Sequence, residues 1–402
     1  MGRKNRFIVG LDIGTTKTCA LIVEPQVDGL RFLALGAAES RGWRRGQIVN
    51  LDLAVTSIRH AVEAAESEAG FPVESALIGV AGSHVRGLNS RGGISLGRRP
   101  RDVQRDDVRR SVEAARNVSL PEDRDVIHVL PQEFILDAQD GIRDPLGMVG
   151  QRLEANVHIV TSVASATQNV VTAVNRAGVV VSDTVLEPLA SAEACLTQDE
   201  RDLGCCLLDL GGGTTEIIAF TSGVVRHIAA FPVGGDHFTN DLAVGLRTPM
   251  LDAERVKCEH ASAWRGTFPA GTEIEVASVG DRPPRTVLSR SISEITEARS
   301  QELLILVREE LRRAGLDSQI PAGLVLTGGA ARLRGLVELA ESIFALPARL
   351  ALPRGIDDME GKADHPEYST AVGLVLYGAR MRRLASENGH GGGGWWNKLF
   401  GS

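Results

Sequence analysis

The sequence predicts an α/β protein built twice on one plan, and three observations predict it. Apolar runs of strand length alternate with amphipathic stretches of helix length from one end to the other. The segment "IVGLDIGTTKTCALIV" at 8–23 recurs as "CCLLDLGGGTTEIIAF" at 205–220, with aspartates 197 residues apart. The chain has 402 residues, too many for one compact core. Two domains opening on the same hairpin follow from the repeat.

The elements can be justified in order. "RFIVGLDIG" and "TCALIV" read as paired strands around a Gly14-Thr15-Thr16 turn. "LDLAVTSIRHAVEAAESEAG" is an amphipathic helix stopped by Gly70, and "SALIGVAG" a buried strand. Residues 83–160 differ in texture, richer in Arg and Asp, with a solvated helix at "RDVQRDDVRRSVEAARNV" and several short strands after it. They read as an insertion into a first domain formed by 6–82, 161–200 and 369–385. "SVASATQNVVTAVNRAG" returns as helix and "VVVSDTVLEP" as strand. The second domain spans 203–235 and 294–368, with an insertion at 236–293. In the repeat, the second hairpin is expected to match the first Thr-Thr to Thr-Thr and to carry two extra glycines. "AGLVLTGGAARLRGLVELAESIF" reads strand, Gly-rich turn, helix, and "STAVGLVLYGARMRRLA" is the last folded helix. A flexible linker, 386–394, precedes a terminal segment, 395–402.

Composition narrows the function. The net charge of −7 argues against a nucleic-acid partner. Five cysteines, odd in number and without a C-x-x-C pair, fit a reduced compartment with neither disulfide framework nor zinc site. The basic N-terminal stretch is broken at Asp12, unlike a signal peptide, and no 18-residue apolar window occurs. Any membrane contact is therefore expected to be peripheral. Glycine, 44 of 402 residues, exceeds its usual ~7%, and much of the excess lies in three clusters and the tail.

Those clusters can hold one nucleotide. At Gly14-Thr15-Thr16, small residues let a phosphate approach backbone N–H groups, two hydroxyls add donors and Lys17 supplies a point charge. Asp12 at the strand end would repel a bare phosphate, so it points to Mg²⁺ held through water. Asp209, Gly211, Gly212, Gly213, Thr214 and Thr215 offer the same order again. Gly328, Gly329 and Ala330 form a strand-to-helix turn on which the flat part of a nucleotide can lie.

The paired hairpins plus "TGGAAR" resemble the actin, sugar-kinase and heat-shock-chaperone superfamily, in which ATP sits between duplicated domains. The resemblance implies an actin-like duplicated ATPase fold. "EPLASAEACL" resembles its connecting helix, which places Glu187 near the magnesium and its waters. With Asp209, Glu187 is the candidate for catalysis, at most a slow Mg-dependent ATPase activity. "GLDIGTTK", "AERVK" and the stretch from His128 to Thr161 are similar to the bacterial cell-division actin homologues of the FtsA family. That similarity implies that Glu254 and Lys257 turn toward adenosine and that 83–160 is the family's relocated subdomain. It also implies polymerisation, other division proteins as partners, and a tie to the tubulin-like protein FtsZ, with the contact within about 236–299. The implied location is the cytoplasmic face of the inner membrane at the division septum.

The tail carries its own signal. At ~100° per residue, Trp395, Leu399, Trp396 and Phe400 share one helical face, with Asn397 and Lys398 on the other. Such a short helix suits the headgroup layer. Burying its four large side chains gains on the order of 6–12 kcal/mol. Ordering six to eight residues costs about 1–2 kcal/mol each. One tail should bind weakly, and several on one polymer should bind well. The similarity implies the same, since those homologues end in a linker and a membrane-targeting helix. Two rival readings are a related scaffold such as the pilus assembly protein PilM, and a small-molecule kinase. A PilM-like scaffold has no terminal membrane helix, and no Asp or Glu motif announces a kinase's general base.

Overall fold

The computed structural model describes residues 6–387 apart from 265–266, 268–270 and 281. The expected linker from 388 onward and the terminal helix with Trp395, Trp396, Leu399 and Phe400 lie outside the described residues. Among the described residues no helix is long and apolar enough to cross a membrane.

The first half opens with β1 (Ile8–Ile13), β2 (Lys17–Pro25) and β3 (Leu30–Glu39), an antiparallel meander. Helix α1 (Leu51–Ala69) follows; Asn50 Oδ1 accepts from Leu53 N at its start, and Gly70, at φ 77°, ends it. Strand β4 (Ser75–Val80) runs parallel to β1. Then come β5 (Arg86–Ser95), α2 (Arg105–Arg116), β6 (Arg124–Leu136), β7 (Gln139–Ile142) and β8 (Arg152–Val163). These four strands make a separate sheet in the order β7-β6-β8-β5. Here the expectation of short strands fails, since β6 and β8 have 13 and 12 residues. Their pairing continues through register shifts, one of them beside Pro131, where a strand signal read from sequence breaks off. Helix α3 (Ala164–Arg176) and β9 (Val180–Leu186) close the first sheet, ordered β9-β4-β1-β2-β3.

Helices α4 (Glu187–Cys195) and α5 (Gln198–Leu203) lead into β10 (Cys205–Leu210), β11 (Thr215–Thr221) and β12 (Val224–Phe231). Next are α6 (Gly235–Leu246), α7 (Met250–His260), the small hairpin β13 (Glu273–Val276) and β14 (Arg285–Leu288), and α8 (Ser289–Arg313). Strand β15 (Gly323–Thr327), α9 (Leu336–Phe344), β16 (Ala348–Leu350) and α10 (Ser369–Glu387) complete the chain. The second sheet, β12-β11-β10-β15-β16, repeats the first in order and sense. The duplication read in sequence is thus one of topology.

Each sheet is covered outside by its own helices: Ile58 and Val174 pack on the first, Leu304 and Leu339 on the second. Between the sheets one apolar cluster runs from Leu21 through Ala190 and Leu374 to Leu207 and Val325. Helices α4 and α10 form its middle. They cross at Gly373, where a Cβ would collide with the Ala190 carbonyl. Any side chain there forces the helices apart. Gly373→Val is expected to destabilise the protein by about 1–3 kcal/mol, the usual cost of overpacking, read as a lower urea midpoint with an unchanged slope.

Candidate functional site

The two hairpin turns face each other. Gly14 N donates to Lys17 O and Gly211 N to Thr214 O, both at 2.9 Å. Cross-strand partners are Asp12 with Cys19 and Asp209 with Glu216. The turns therefore have equal length, and the expectation of two extra glycines is corrected. Gly212 and Gly213 occupy the places of Thr15 and Thr16, while Thr214, Thr215 and Glu216 match Lys17, Thr18 and Cys19. Identical Thr-Thr letters misled the alignment, whereas the hydrogen-bonded ladder sets the true equivalence. Thr215 is accordingly a strand residue, its hydroxyl donating to Val233 O at 2.8 Å.

Across the pseudo-twofold the turns interlock. A Cβ on Gly213 would stand 2.6 Å from Thr15 Oγ1, and one on Gly212 would collide with Thr16 Oγ1. Glycine is required there because two backbones meet. Among the described residues the N–H groups of Thr15, Thr16, Gly212 and Gly213 donate to nothing. Four free N–H groups on two adjoining turns suit a polyphosphate, whose admission requires the turns to separate. Gly235 N and Asp236 N bond the carbonyls of Gly211 and Gly212, fixing the start of α6 beneath the second turn.

Behind the turns lie four acids, Asp12, Asp209 and Glu216 buried and Glu187 half-buried. Glu187 begins α4 beside Pro188, and Gly79 leaves it room, since a Cβ there would be 2.6 Å from Glu187 Cγ. Asp209 accepts from Ser191 Oγ at 2.5 Å and Thr370 Oγ1 at 3.3 Å, one on α4 and one on α10. Burial pushes the Asp209 carboxyl up to about 6 and the Glu216 carboxyl up to about 8. Burial raises Glu187 well above the usual range, and Asp12 and Glu216 nearby raise it further. Asp12 is raised by burial too, with Lys17 Nζ 3.5 Å away opposing the shift. The lysine is more engaged than expected for a free phosphate ligand. Its Nζ donates to Glu367 O at 2.6 Å and lies 4.2 Å from the Tyr368 ring centre.

Such a cluster suits a divalent cation, which would offset repulsion among the acids. Among the described residues no three acidic, His or Cys side chains converge to ligate a metal directly. An ion here would be held through water.

The remaining candidates meet at the other end. Lys257 Nζ bonds Glu254 Oε2 at 2.6 Å, Thr239 Oγ1 at 2.9 Å and Gly235 O at 3.1 Å. A Cβ on Gly235 would sit 3.4 Å from Ala330 Cβ and 3.5 Å from Lys257 Nζ. Gly328, at φ 87°, leaves room for Asp209 Oδ1, and Gly329 neighbours Glu367. The third glycine cluster therefore joins the phosphate turns to the corner formed by α6 and α7. Sequence reading missed Ser191, Thr370, Gly79 and Glu216. Only Glu216 had a signal, its position 197 residues after Cys19.

The family description "Cell division protein FtsA" matches residues 206–373, and "SHS2 domain inserted in FTSA" matches 82–161. The chain is 47% identical over 381 residues to "Cell division protein FtsA" of Pseudomonas aeruginosa, covering 94% of this chain and 91% of the relative. It belongs to the FtsA family. The protein of that name from Escherichia coli K12 is 37% identical, with 93% and 90% covered. Solved structures with the same fold include a PilM-PilN type IV pilus biogenesis complex, TM-score 0.66 at 17% identity, covering 92% of this chain and 98% of that one. Another is MreB5 of Spiroplasma citri bound to ADP, TM-score 0.60 at 15% identity, with 96% and 100% covered. These likenesses show an actin-like fold and no more, so the pilus alternative loses its ground to the FtsA relatives. As an FtsA-family member the chain is an actin-like cell-division protein.

The raised carboxyls give a pH test. Glu216 ionises in the unfolded chain near 4.5 and in the fold near 8, so folding is penalised increasingly as pH climbs between those values. Below that range both states are protonated and the penalty vanishes. Without nucleotide or metal, Glu216→Gln should raise the melting temperature by a few degrees at about pH 9 and leave it unchanged near pH 4.

Proposed function

We propose that this FtsA-family chain binds ATP with Mg²⁺ between its duplicated domains, assembles into filaments on the cytoplasmic membrane face and holds FtsZ there. Four free N–H groups on two apposed turns, beside a cluster of four acids, carry this reading. Asp12 and Asp209 would hold the ion's waters, and Lys17 neutralises Asp12. Glu254, Lys257, Gly328, Gly329 and Ala330 form the adenosine end. Bound Mg²⁺ would supply charge neutralisation for the phosphates. Glu187 at the head of α4 would orient a water, its carboxyl raised well above the usual range by burial.

The solved MreB5 carries ADP in one structure and AMPPNP in another, which supports a nucleotide here. Because the turns touch, a nucleotide between them changes the angle between the sheets, a natural trigger for assembly. The amphipathic face of 395–400 would hold the filament to lipid through many weak contacts. Other division proteins would meet the 82–161 sheet. Electron microscopy of the purified protein with ATP on a lipid monolayer tests the whole reading: filaments are expected, and single particles under all conditions would refute it.

Asp209→Asn keeps the side chain's shape and removes its charge. ATP should then stabilise the variant equally with and without Mg²⁺, whereas wild type should need the ion. Replacing Trp396 and Phe400 with Glu should abolish co-sedimentation with anionic liposomes while leaving the ATP-induced thermal shift intact.

A further inference from the structure

The sheet β7-β6-β8-β5 belongs by chain order to the first half, yet its side chains also grip the second. Its root on the first half is firm. Arg124 Nη2 donates to His84 O at 2.9 Å and Thr161 O at 3.0 Å, tying the entry of the sheet to its exit. Buried His128 Nε2 accepts from Leu186 N at 3.0 Å, one residue before Glu187 and the start of α4.

The opposite attachment is to β12, the edge strand of the second sheet. Buried Gln132 donates through Nε2 to Val225 O at 2.8 Å. The register explains why a side chain of β6 reaches so far. Glu133 pairs with Asn156 and Pro131 with Val157, so Gln132 is the extra residue of a β-bulge. A bulge re-aims the side chain it carries. Asn89 Oδ1, on β5, accepts from the same Nε2 at 3.2 Å and lies 2.7 Å from His158 Nδ1, which fixes the amide in place.

The packing around this bond is close. A Cβ on Gly87 would collide with His158 Nε2 and stand 2.7 Å from Ile228 Cγ1. Val85, Val160, Val225 and Ile228 join the apolar cluster that runs between the two sheets. In the turn before β12, Ser222 O accepts from Arg143 Nη2 at 2.7 Å, and Asp202 Oδ1 lies 3.6 Å from the same atom.

One sheet therefore spans both halves. A polyphosphate enters only if the paired turns part, which changes the angle between the halves. A body fastened to both must then yield at one fastening. The root is main chain and buried bonds, whereas the second-half contact depends on two side-chain donors and apolar packing. The second-half contact is the one to give.

We propose that the 82–161 sheet is a latch on the cleft, held to β12 by Gln132 and Arg143 while the turns touch and released when a nucleoside triphosphate enters, an inference that rests on the nucleotide reading of the paired turns. The latch contacts exist in the ligand-free form alone, so they stabilise that form and oppose binding.

The test is isothermal titration calorimetry of the full chain with Mg²⁺ and AMPPNP, with melting temperatures measured without ligand. Gln132→Met keeps the side chain's length and removes its donor. It should melt lower than wild type yet bind the analogue about fivefold more tightly, the net worth of one buried hydrogen bond. Arg143→Met, at the surface, should tighten binding about twofold, while Arg143→Lys should stay near wild type. A purely structural role would lower stability with affinity unchanged or weakened, and that result would overturn the latch. If Gln132→Met does not fold, the two Arg143 variants decide. In wild type, saturating analogue should speed hydrogen exchange over residues 224–228. Unchanged exchange there while the analogue binds would refute the latch alone. No binding to wild type would refute the nucleotide reading, and the latch with it.

Discussion

The close crossing of α4 and α10 at Gly373 and Ala190 is the constraint on which the cleft depends. It brings Ser191 and Thr370 within bonding distance of one another, at 2.9 Å, and aims both at Asp209. Glu187 heads the same α4, so its height above the turns follows from where that helix can lie. The apolar cluster joining the two sheets runs through these helices. A change at the crossing therefore reaches the acid cluster and both sheets at once.

Electrostatics in the cleft set its acids against one another. Four carboxyl groups share a buried space with one lysine, and that lysine also holds Glu367 O across the start of α10. The protein tolerates this by keeping some of the acids protonated, Glu216 at neutral pH among them. A site that stores proton-linked strain in this way responds strongly to a bound cation. The interlocked turns add a mechanical counterpart, since whatever enters between Thr16 and Gly212 moves one domain against the other. Binding and domain angle are then one event.

The pseudo-twofold symmetry is incomplete in an informative way. Lys17 in one turn is matched by Thr214 in the other, and Cys19 by Glu216. One hairpin thus carries the positive charge and the other an additional acid. The third glycine cluster and the α6–α7 corner attach to the second half only, so a ligand bound here has a defined orientation.

Much was legible in the sequence because it is local. The duplicated strand–turn–strand, the Gly70 stop and the Gly-rich turn after β15 are written in neighbouring residues. Period and punctuation suffice for these. The long strands of the 82–161 sheet escaped because Pro131 interrupts the pattern while the ladder carries on around it. The equivalence of the turns escaped because repeated threonines matched by letter, whereas hydrogen bonds match by position. Asp209 meets Thr370 across 161 residues, and Lys17 meets Glu367 across 350. No periodicity encodes such distances. The sequence by itself determined the two-domain plan and the chemistry available to the cleft; the tertiary structure decided which hydroxyls reach the acids, which glycines meet, and where Lys17 directs its charge, because those contacts exist only once the helices have crossed.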